Sequence, residues 1–466
     1  MILKNGKIFS EGLIHNGDIL INSGIITKVV FEPDEKGIKS LIDKNQDGKI
    51  IDCDNKIILP GIIDIHSHLR DIGQSEKETF FTGTKAAAYS GITTVFNMPN
   101  TKPPAITKKQ VKAWMDKARN KINVNVGFIA GVPKGIDEVE IKKIMELGVI
   151  GFKIYPESPL NQIDWKQSAN IQKILYISST HQVPIFIHTA YPLPDNEKEQ
   201  IVEDFKVLKF SVLELHNRLH PVKMEEKYSN FIIRNYKKYI TDNKTEPKKY
   251  PIIHFCHISC KEAYLLIQKA IISNNNFKIS YEVTPHHLFL SKDLSLDNET
   301  YGKVLPPLRS REHSQFLLNK LKEGNILLIC TDHAPHTSEE KSKDYLDAPS
   351  GFPGFETYPK VLLDQIFNFR LSLENFVKAS SENPAIIFNL RNKGFIKEGY
   401  DADLMIIDKI PVYLINASNF KTKAKYSPFE KSTSTVRIWK VFLKGKEIKL
   451  ENSIPKGTII KASYKV

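Results

Sequence analysis

The sequence predicts an α/β fold, a (β/α)8 TIM-like barrel with a small β-sandwich domain built from both chain ends. Three observations predict it. Between residues 57 and 394, eight short apolar runs alternate with amphipathic stretches, the pattern of parallel strands joined by crossover helices. Before 57 and after 394 the texture changes to short β-like pieces punctuated by Gly and Asn. The polar residues that interrupt the apolar runs fall at their C-terminal ends, where such a barrel keeps its chemistry.

Taken in order, residues 1–56 carry β-like pieces at 1–8, 18–21 and 25–30, and a mostly polar stretch at 34–49 that reads as a loop. The barrel strands are expected at 62–69, 93–98, 124–130, 149–155, 183–188, 252–258, 278–284 and 326–331. Helical stretches separate them, among them 77–90, 108–120, 137–147, 261–273 and 310–323, two of these closed by Gly91 and Gly324. The segment 190–250 exceeds a usual connection, carries two charged helical stretches, and reads as an insertion over the barrel mouth. Residues 395–466 return to β texture at 403–407, 436–443 and 444–448. They complete the small domain begun by 1–56.

Composition narrows the class. With 41% hydrophobic and 26% charged residues, wholesale disorder is excluded. The net charge of +13 comes from lysines spread along the chain, and no basic run is interleaved with aromatics. That is a solvated surface rather than a nucleic-acid interface. Cys53, Cys256, Cys260 and Cys330 fit neither a disulfide framework nor a zinc ribbon. Reduced thiols, no signal peptide and no membrane-length apolar run lead to the expectation of a cytoplasmic protein with no membrane partner.

The chemistry centres on Pro60-Gly61-Ile62-Ile63-Asp64-Ile65-His66-Ser67-His68-Leu69-Arg70. Residues two apart on a strand share a face, so His66 and His68 project side by side as ligands of one metal require, and Arg70 follows on that face as a forked donor for a carboxylate. Lys153 interrupts an apolar strand, where a buried ammonium is costly. Either it snorkels or pairs with a carboxylate, or it reacts with carbon dioxide to give an anionic carbamate. His188 ends one strand and His257 lies near the end of another, with His254 as its competitor farther from the C-terminal end. Asp332 follows the last strand. Four histidines and a carboxylate at strand ends suit a divalent metal such as zinc, which makes bound water acidic near neutral pH. Asp332 alone in this set can both ligate and move a proton.

Further motifs carry a family resemblance across nearly the whole chain: Asn97-Met98-Pro99-Asn100-Thr101, Phe152-Lys153-Ile154-Tyr155, Cys256-His257-Ile258-Ser259, Val283-Thr284-Pro285-His286-His287, Pro306-Pro307-Leu308-Arg309, Asp332-His333-Ala334-Pro335-His336, Gly351-Phe352-Pro353-Gly354 and Tyr426-Ser427-Pro428-Phe429. Together with His66-Ser67-His68-Leu69-Arg70, they make the chain resemble the dihydroorotases of the cyclic amidohydrolase superfamily. The resemblance implies two divalent metal ions, zinc foremost, bridged by carbamylated Lys153. His66, His68 and Asp332 would hold one ion, and His188 and His257 the other. It implies that Arg70, Asn100 and His336, with the backbone of Pro353 and Gly354, grip a substrate carboxylate. The implied reaction interconverts N-carbamoyl-L-aspartate and L-dihydroorotate in pyrimidine synthesis. A homo-oligomer and an aspartate transcarbamoylase partner are the implied associations. Two positions depart from the family pattern: Thr189-Ala190 replaces Ala-Glu, and Leu305 stands where an asparagine precedes Pro-Pro-Leu-Arg. The competing readings are a hydantoinase, dihydropyrimidinase or allantoinase, and an inactive partner of aspartate transcarbamoylase. Arg70 and His336 oppose the first, and the complete ligand set opposes the second.

Overall fold

The computed structural model describes residues 1–33, 43–45, 48–208, 210–449 and 455–464, so most of the expected loop at 34–49 lies outside the described residues. The chain start forms β1 (Ile2–Ser10), β2 (Leu13–Asn22), β3 (Ile25–Phe31), β4 (Ile50–Asp52) and β5 (Ile57–Pro60). The first three are an antiparallel meander, and β4 and β5 both run parallel to β1. After Gly61 the chain enters the barrel. A Cβ at Gly61 would lie 2.3 Å from the Thr93 side chain, so only glycine passes that crossing.

The barrel strands are β6 (Ile62–Ser67), β7 (Ile92–Asn97), β8 (Asn125–Gly131), β9 (Gly151–Ile154), β10 (Ile185–Ile187), β11 (Ile252–Phe255), β12 (Lys278–Val283) and β13 (Leu328–Ile329). They hydrogen-bond in sequence order, all parallel. Closure between first and last strand occurs at the C-terminal end. His68 N donates to His333 O at 2.7 Å, and Asp64 accepts from Thr331 N at 3.0 Å and Thr331 Oγ1 at 2.5 Å. Burial of Asp64 pushes its carboxyl up to about 7. Inside, Phe388 stacks on Phe186 at 5.3 Å and meets Phe96 edge-on at 5.4 Å, which fills the barrel interior with rings.

Outer helices follow from apolar spacing and caps. In Lys108–Ala118 the buried residues Val111, Trp114, Met115 and Ala118 recur three and four apart, and the Thr107 side chain accepts from Gln110 N at the N-cap. The segment 190–250 divides differently from the sequence expectation. It holds three helices, Asp195–Leu208, Val212–Leu219 and Val222–Asp242. The third buries Tyr228, Ile232, Ile233, Tyr236 and Tyr239 and packs against the helices Ser168–His181 and Lys261–Ser273. It is the crossover helix that parallel β10 and β11 require, not a lid over the mouth.

The chain end returns to the first sheet as β14 (Leu404–Leu414), β15 (Thr433–Leu443) and β16 (Lys446–Glu447), with β14 antiparallel to β5. Both chain ends thus build one eight-stranded sheet separate from the barrel. The last strand, β17 (Ile459–Ile460), corrects the assignment of all of 395–466 to the small domain. It pairs parallel with β8 at Val126 and Gly127, below the point where β9 begins to pair with β8 at Ile129. Tyr464 Oη donates to Ile150 O at 2.6 Å, which ties the tail under the barrel.

Candidate active site

A cavity of about 240 Å³ opens at the C-terminal ends of the barrel strands. His66, His68, Arg70, Asn100, His188, His257, Asp332 and His336 line it, with Tyr155, Glu157, Leu305 and Gly351. One of the sequence expectations changes in detail. β6 ends at Ser67, so Arg70 does not reach the cavity by strand alternation. It does so through a left-handed backbone, φ 60°, and His257 (37°) and Asp332 (47°) leave their strands the same way. Such conformations cost a non-glycine residue about 1–2 kcal/mol and concentrate where geometry is imposed for function.

His66, His68 and His188 are each oriented by a partner on the outer nitrogen. His66 Nδ1 donates to Glu282, leaving Nε2 3.4 Å from Asp332 Oδ1. His68 Nδ1 donates to Asn100 Oδ1 at 2.6 Å, and its Nε2 lies 3.1 Å from the same Asp332 oxygen. With Oδ1 so engaged, the NH2 is the remaining polar group of the Asn100 amide, and the residue lines the cavity. On the other side Glu157 Oε2 lies 3.4 Å from His188 Nε2, and Glu157 Oε1 accepts from His220 Nδ1 at 3.1 Å. His188 Nδ1 then faces His257 Nε2 at 3.0 Å, while the buried His257 Nδ1 has no hydrogen-bond partner. His254 sits deeper, taken up by Ser280 Oγ at 2.8 Å and Glu282 Oε2 at 3.0 Å. His257 is therefore the member of that pair in the cavity.

The electrostatics favour a cation. Burial and Lys153 pull His66 down, but Glu282 and Asp332 more than reverse this and push it up to about 10. Burial lowers His68 to about 4, so at neutral pH it presents a lone pair. Burial would raise Asp332, yet His66 and His68 hold it well below the usual carboxylate range. Lys153 is 2% exposed, its Nζ 2.7 Å from Cys256 Sγ, and it has no carboxylate partner among the described residues. Of the readings left open by the sequence, this excludes both snorkelling to solvent and pairing with a carboxylate. The nitrogens of His66 and His68 with an Asp332 oxygen lie within 4.8 Å of one another, as ligands of one ion must. The convergent His188 and His257 nitrogens form a second focus. The donor chemistry fits a divalent metal at both.

Pro353 and Gly354 are not in the cavity wall. Gly354 N is taken up by His333 Nδ1 at 3.2 Å, so it is turned away from a ligand. Gly351 lines the wall in their place; its φ of 124° and the Ala334 carbonyl 2.6 Å from a would-be Cβ require glycine. Glu282, Glu157 and His220 escaped the sequence reading. Glu282 had one visible signal, a carboxylate interrupting the apolar run Ile279–Val283. Glu157 and His220 lie in irregular segments with no pattern to flag them.

A closed parallel barrel with oriented histidines and a carboxylate at its mouth defines a class. The chain belongs to the amidohydrolase family, whose signature matches residues 57–448. Within that class, its similarity runs to dihydroorotases. It is 36% identical over 441 residues to the dihydroorotase of Methanosphaera stadtmanae, covering 92% of each chain. It is 35% identical over 429 residues to that of Pyrococcus abyssi, covering 91% of this chain and 89% of the other. In three dimensions it is similar to the L-hydantoinase (dihydropyrimidinase) from Arthrobacter aurescens, with a TM-score of 0.86, 24% identity and 99% of both chains covered. At that identity the likeness bears on the fold alone.

Proposed function

We propose that this chain is a dihydroorotase, which interconverts L-dihydroorotate and N-carbamoyl-L-aspartate in pyrimidine synthesis. The observation that carries the reading is one cavity with a cation-binding set on one wall and a carboxylate clamp on the other. His66, His68 and Asp332, with a carbamylated Lys153, would hold one divalent ion, zinc foremost, and His188 and His257 with Lys153 would hold a second. Divalent ions bound there would supply Lewis acidity and make a bound water acidic. Glu282, Asn100 and Glu157 each take the outer ring nitrogen of His66, His68 and His188, so the other nitrogen of each ring is the one that would face a metal.

Arg70, Asn100 and His336 receive the substrate carboxylate. Arg70 Nε donates to Pro335 O at 3.1 Å, which anchors the guanidinium at one donor, about which its Nη edge can turn from His336 Nε2 to the anion. That places the ring amide toward Asp332. In ring opening Asp332 takes the proton shed by the attacking water and passes it to the leaving ring nitrogen; in cyclisation it returns the proton in the opposite sense. Leu305 contributes only apolar surface to the wall, so ring recognition falls to the remaining polar groups. The same reading places the enzyme in the cytoplasm as a homo-oligomer, with aspartate transcarbamoylase as a candidate partner.

The test is turnover of L-dihydroorotate, hydantoin, dihydrouracil and allantoin by purified protein, with Asp332→Asn as control. L-dihydroorotate should be opened, and the Asp332→Asn variant should lose about 10²–10⁴ in rate. Turnover of a neutral ring with none of L-dihydroorotate would reject the proposal.

A further inference from the structure

His336 stands between two side chains that can only donate. Arg70 Nη2 is 3.0 Å from its Nε2, and Lys77 Nζ is 3.2 Å from its Nδ1. A neutral imidazole accepts at one nitrogen only. A second proton is no way out, because burial and the flanking Arg70 and Lys77 charges hold His336 far below its ordinary value. Each nitrogen also has an acceptor nearby, Glu340 Oε2 at 3.4 Å from Nδ1 and Ser350 O at 3.1 Å from Nε2. Two tautomers therefore compete. In one, Nδ1–H faces Glu340 and Nε2 accepts from Arg70. In the other, Nδ1 accepts from Lys77 and Nε2 carries the proton.

Resting on the reading of Arg70, Asn100 and His336 as a carboxylate clamp, we propose that Lys77 is a positioning residue that holds His336 in the tautomer with Nε2–H facing the substrate carboxylate. Once an anion occupies the cavity, the Arg70 fork turns to it and no longer donates to Nε2. An unprotonated Nε2 would then set a lone pair against a carboxylate oxygen, whereas Nε2–H donates to it. Lys77 selects the second arrangement in two ways. Its ammonium donates to Nδ1, and it pairs with Glu340 Oε1 at 2.8 Å while Thr337 N donates to Glu340 Oε2 at 3.1 Å, so both oxygens of the one carboxylate near Nδ1 already hold a donor. Lys77 is itself buried, 8% exposed, so the contact is built into the wall rather than made by a mobile surface lysine. Lys77 never touches substrate; it acts through the ring.

The experiment compares KM and kcat for L-dihydroorotate in Lys77→Met, Lys77→Arg, Glu340→Gln and the double variant Lys77→Met/Glu340→Gln, each checked for metal content and melting temperature. Lys77→Met should raise KM roughly ten- to a hundredfold, the range of a lost hydrogen bond to a charged group, with kcat nearly unchanged. Lys77→Arg keeps a donor at Nδ1 and should stay near the parent. Glu340→Gln alone should do little, since its oxygen still takes Thr337 N, 3.1 Å away. In the double variant, with the Lys77 ammonium gone, the amide can turn its NH2 into the Oε2 position, giving up Thr337 N to donate to Nδ1, so KM should return toward the parent. A structural role for Lys77 would make the double variant additive or worse. An unchanged KM in Lys77→Met, or no recovery in the double variant, overturns the proposal while the parent still opens L-dihydroorotate. If the parent opens none, the functional reading fails and this one with it.

Discussion

Glu225 sits where the segment after β10 is fastened to the site, and its removal has a calculable effect. Its side chain is fully buried beside Arg309, which is 3% exposed. Glu225 Oε1 accepts from Ser259 N at 2.9 Å, and Oε2 accepts from Arg309 Nη2 at 3.0 Å and from the Ser259 hydroxyl. Arg309 Nε donates to Ser259 Oγ at 2.9 Å, and Nη1 to Asn217 Oδ1 at 3.4 Å. Glu225→Ala leaves a buried guanidinium without a counter-charge, which costs about 3–5 kcal/mol. Ser259 follows His257 by two residues, and His220, whose carbonyl also accepts from Arg309, holds Glu157 against His188. Loss of the pair should therefore also weaken metal retention. Replacing both partners by apolar residues, Glu225→Leu with Arg309→Met, should recover most of the stability, since the unpaired charge is gone. Urea unfolding followed by circular dichroism reads the difference from midpoint and slope. A Glu225→Ala protein within about 1 kcal/mol of the parent would refute this account of the anchor.

Three further outcomes follow from the same geometry. Arg70→Lys keeps the charge but cannot both hold Pro335 O and fork onto a carboxylate; kcat/KM for L-dihydroorotate should fall about ten- to a hundredfold with metal content unchanged, and an indifferent enzyme would remove the clamp role. Lys153→Ala should lower metal content from about two ions per chain and abolish most activity, with partial return on adding a short carboxylic acid; full metal loading and rate in the variant would reject the carbamate. Glu356, buried and accepting from Lys421 N and Thr422 N at 2.8 and 3.1 Å, is pushed by burial from 4.5 up to about 7. A raised carboxyl pKa means the folded state holds its proton longer, so this group lowers stability as pH rises from about 4.5 to about 7, by up to ~3 kcal/mol. Glu356→Gln should flatten that slope, and parallel stability–pH curves for the two proteins would contradict the assignment.

The strand ends were readable because a single residue type disrupts an apolar run wherever chemistry interrupts packing. His66, His68, Lys153, His188 and Asp332 each do so, and the barrel brings all but Lys153 into the wall of one cavity, with Lys153 buried at its base. His257 was separable from His254 by its distance along the strand. The pairings that orient them were not readable, even for Glu282, whose carboxylate interrupts an apolar run without showing what it meets. Glu282 meets His66 across 216 positions, and Asp64 meets Thr331 across 267. No local period records such pairings.

The chain alone determined the alternation of strands and helices, the separate sheet from its two ends and most of the polar residues that the cavity gathers, because these depend on periods of two and 3.6 residues and on the scarcity of polar groups in apolar strands. Tertiary structure alone decided where backbone donors go and which edges are open. Gly354 loses its N–H to His333, and Ile459–Ile460 fills the gap beside β8 before β9 begins. It also decided that Lys77 and Arg70 meet on opposite edges of one imidazole. Such contacts arise only when distant segments close around a common cavity, and a linear sequence holds no signal for a hydrogen bond that folding itself creates.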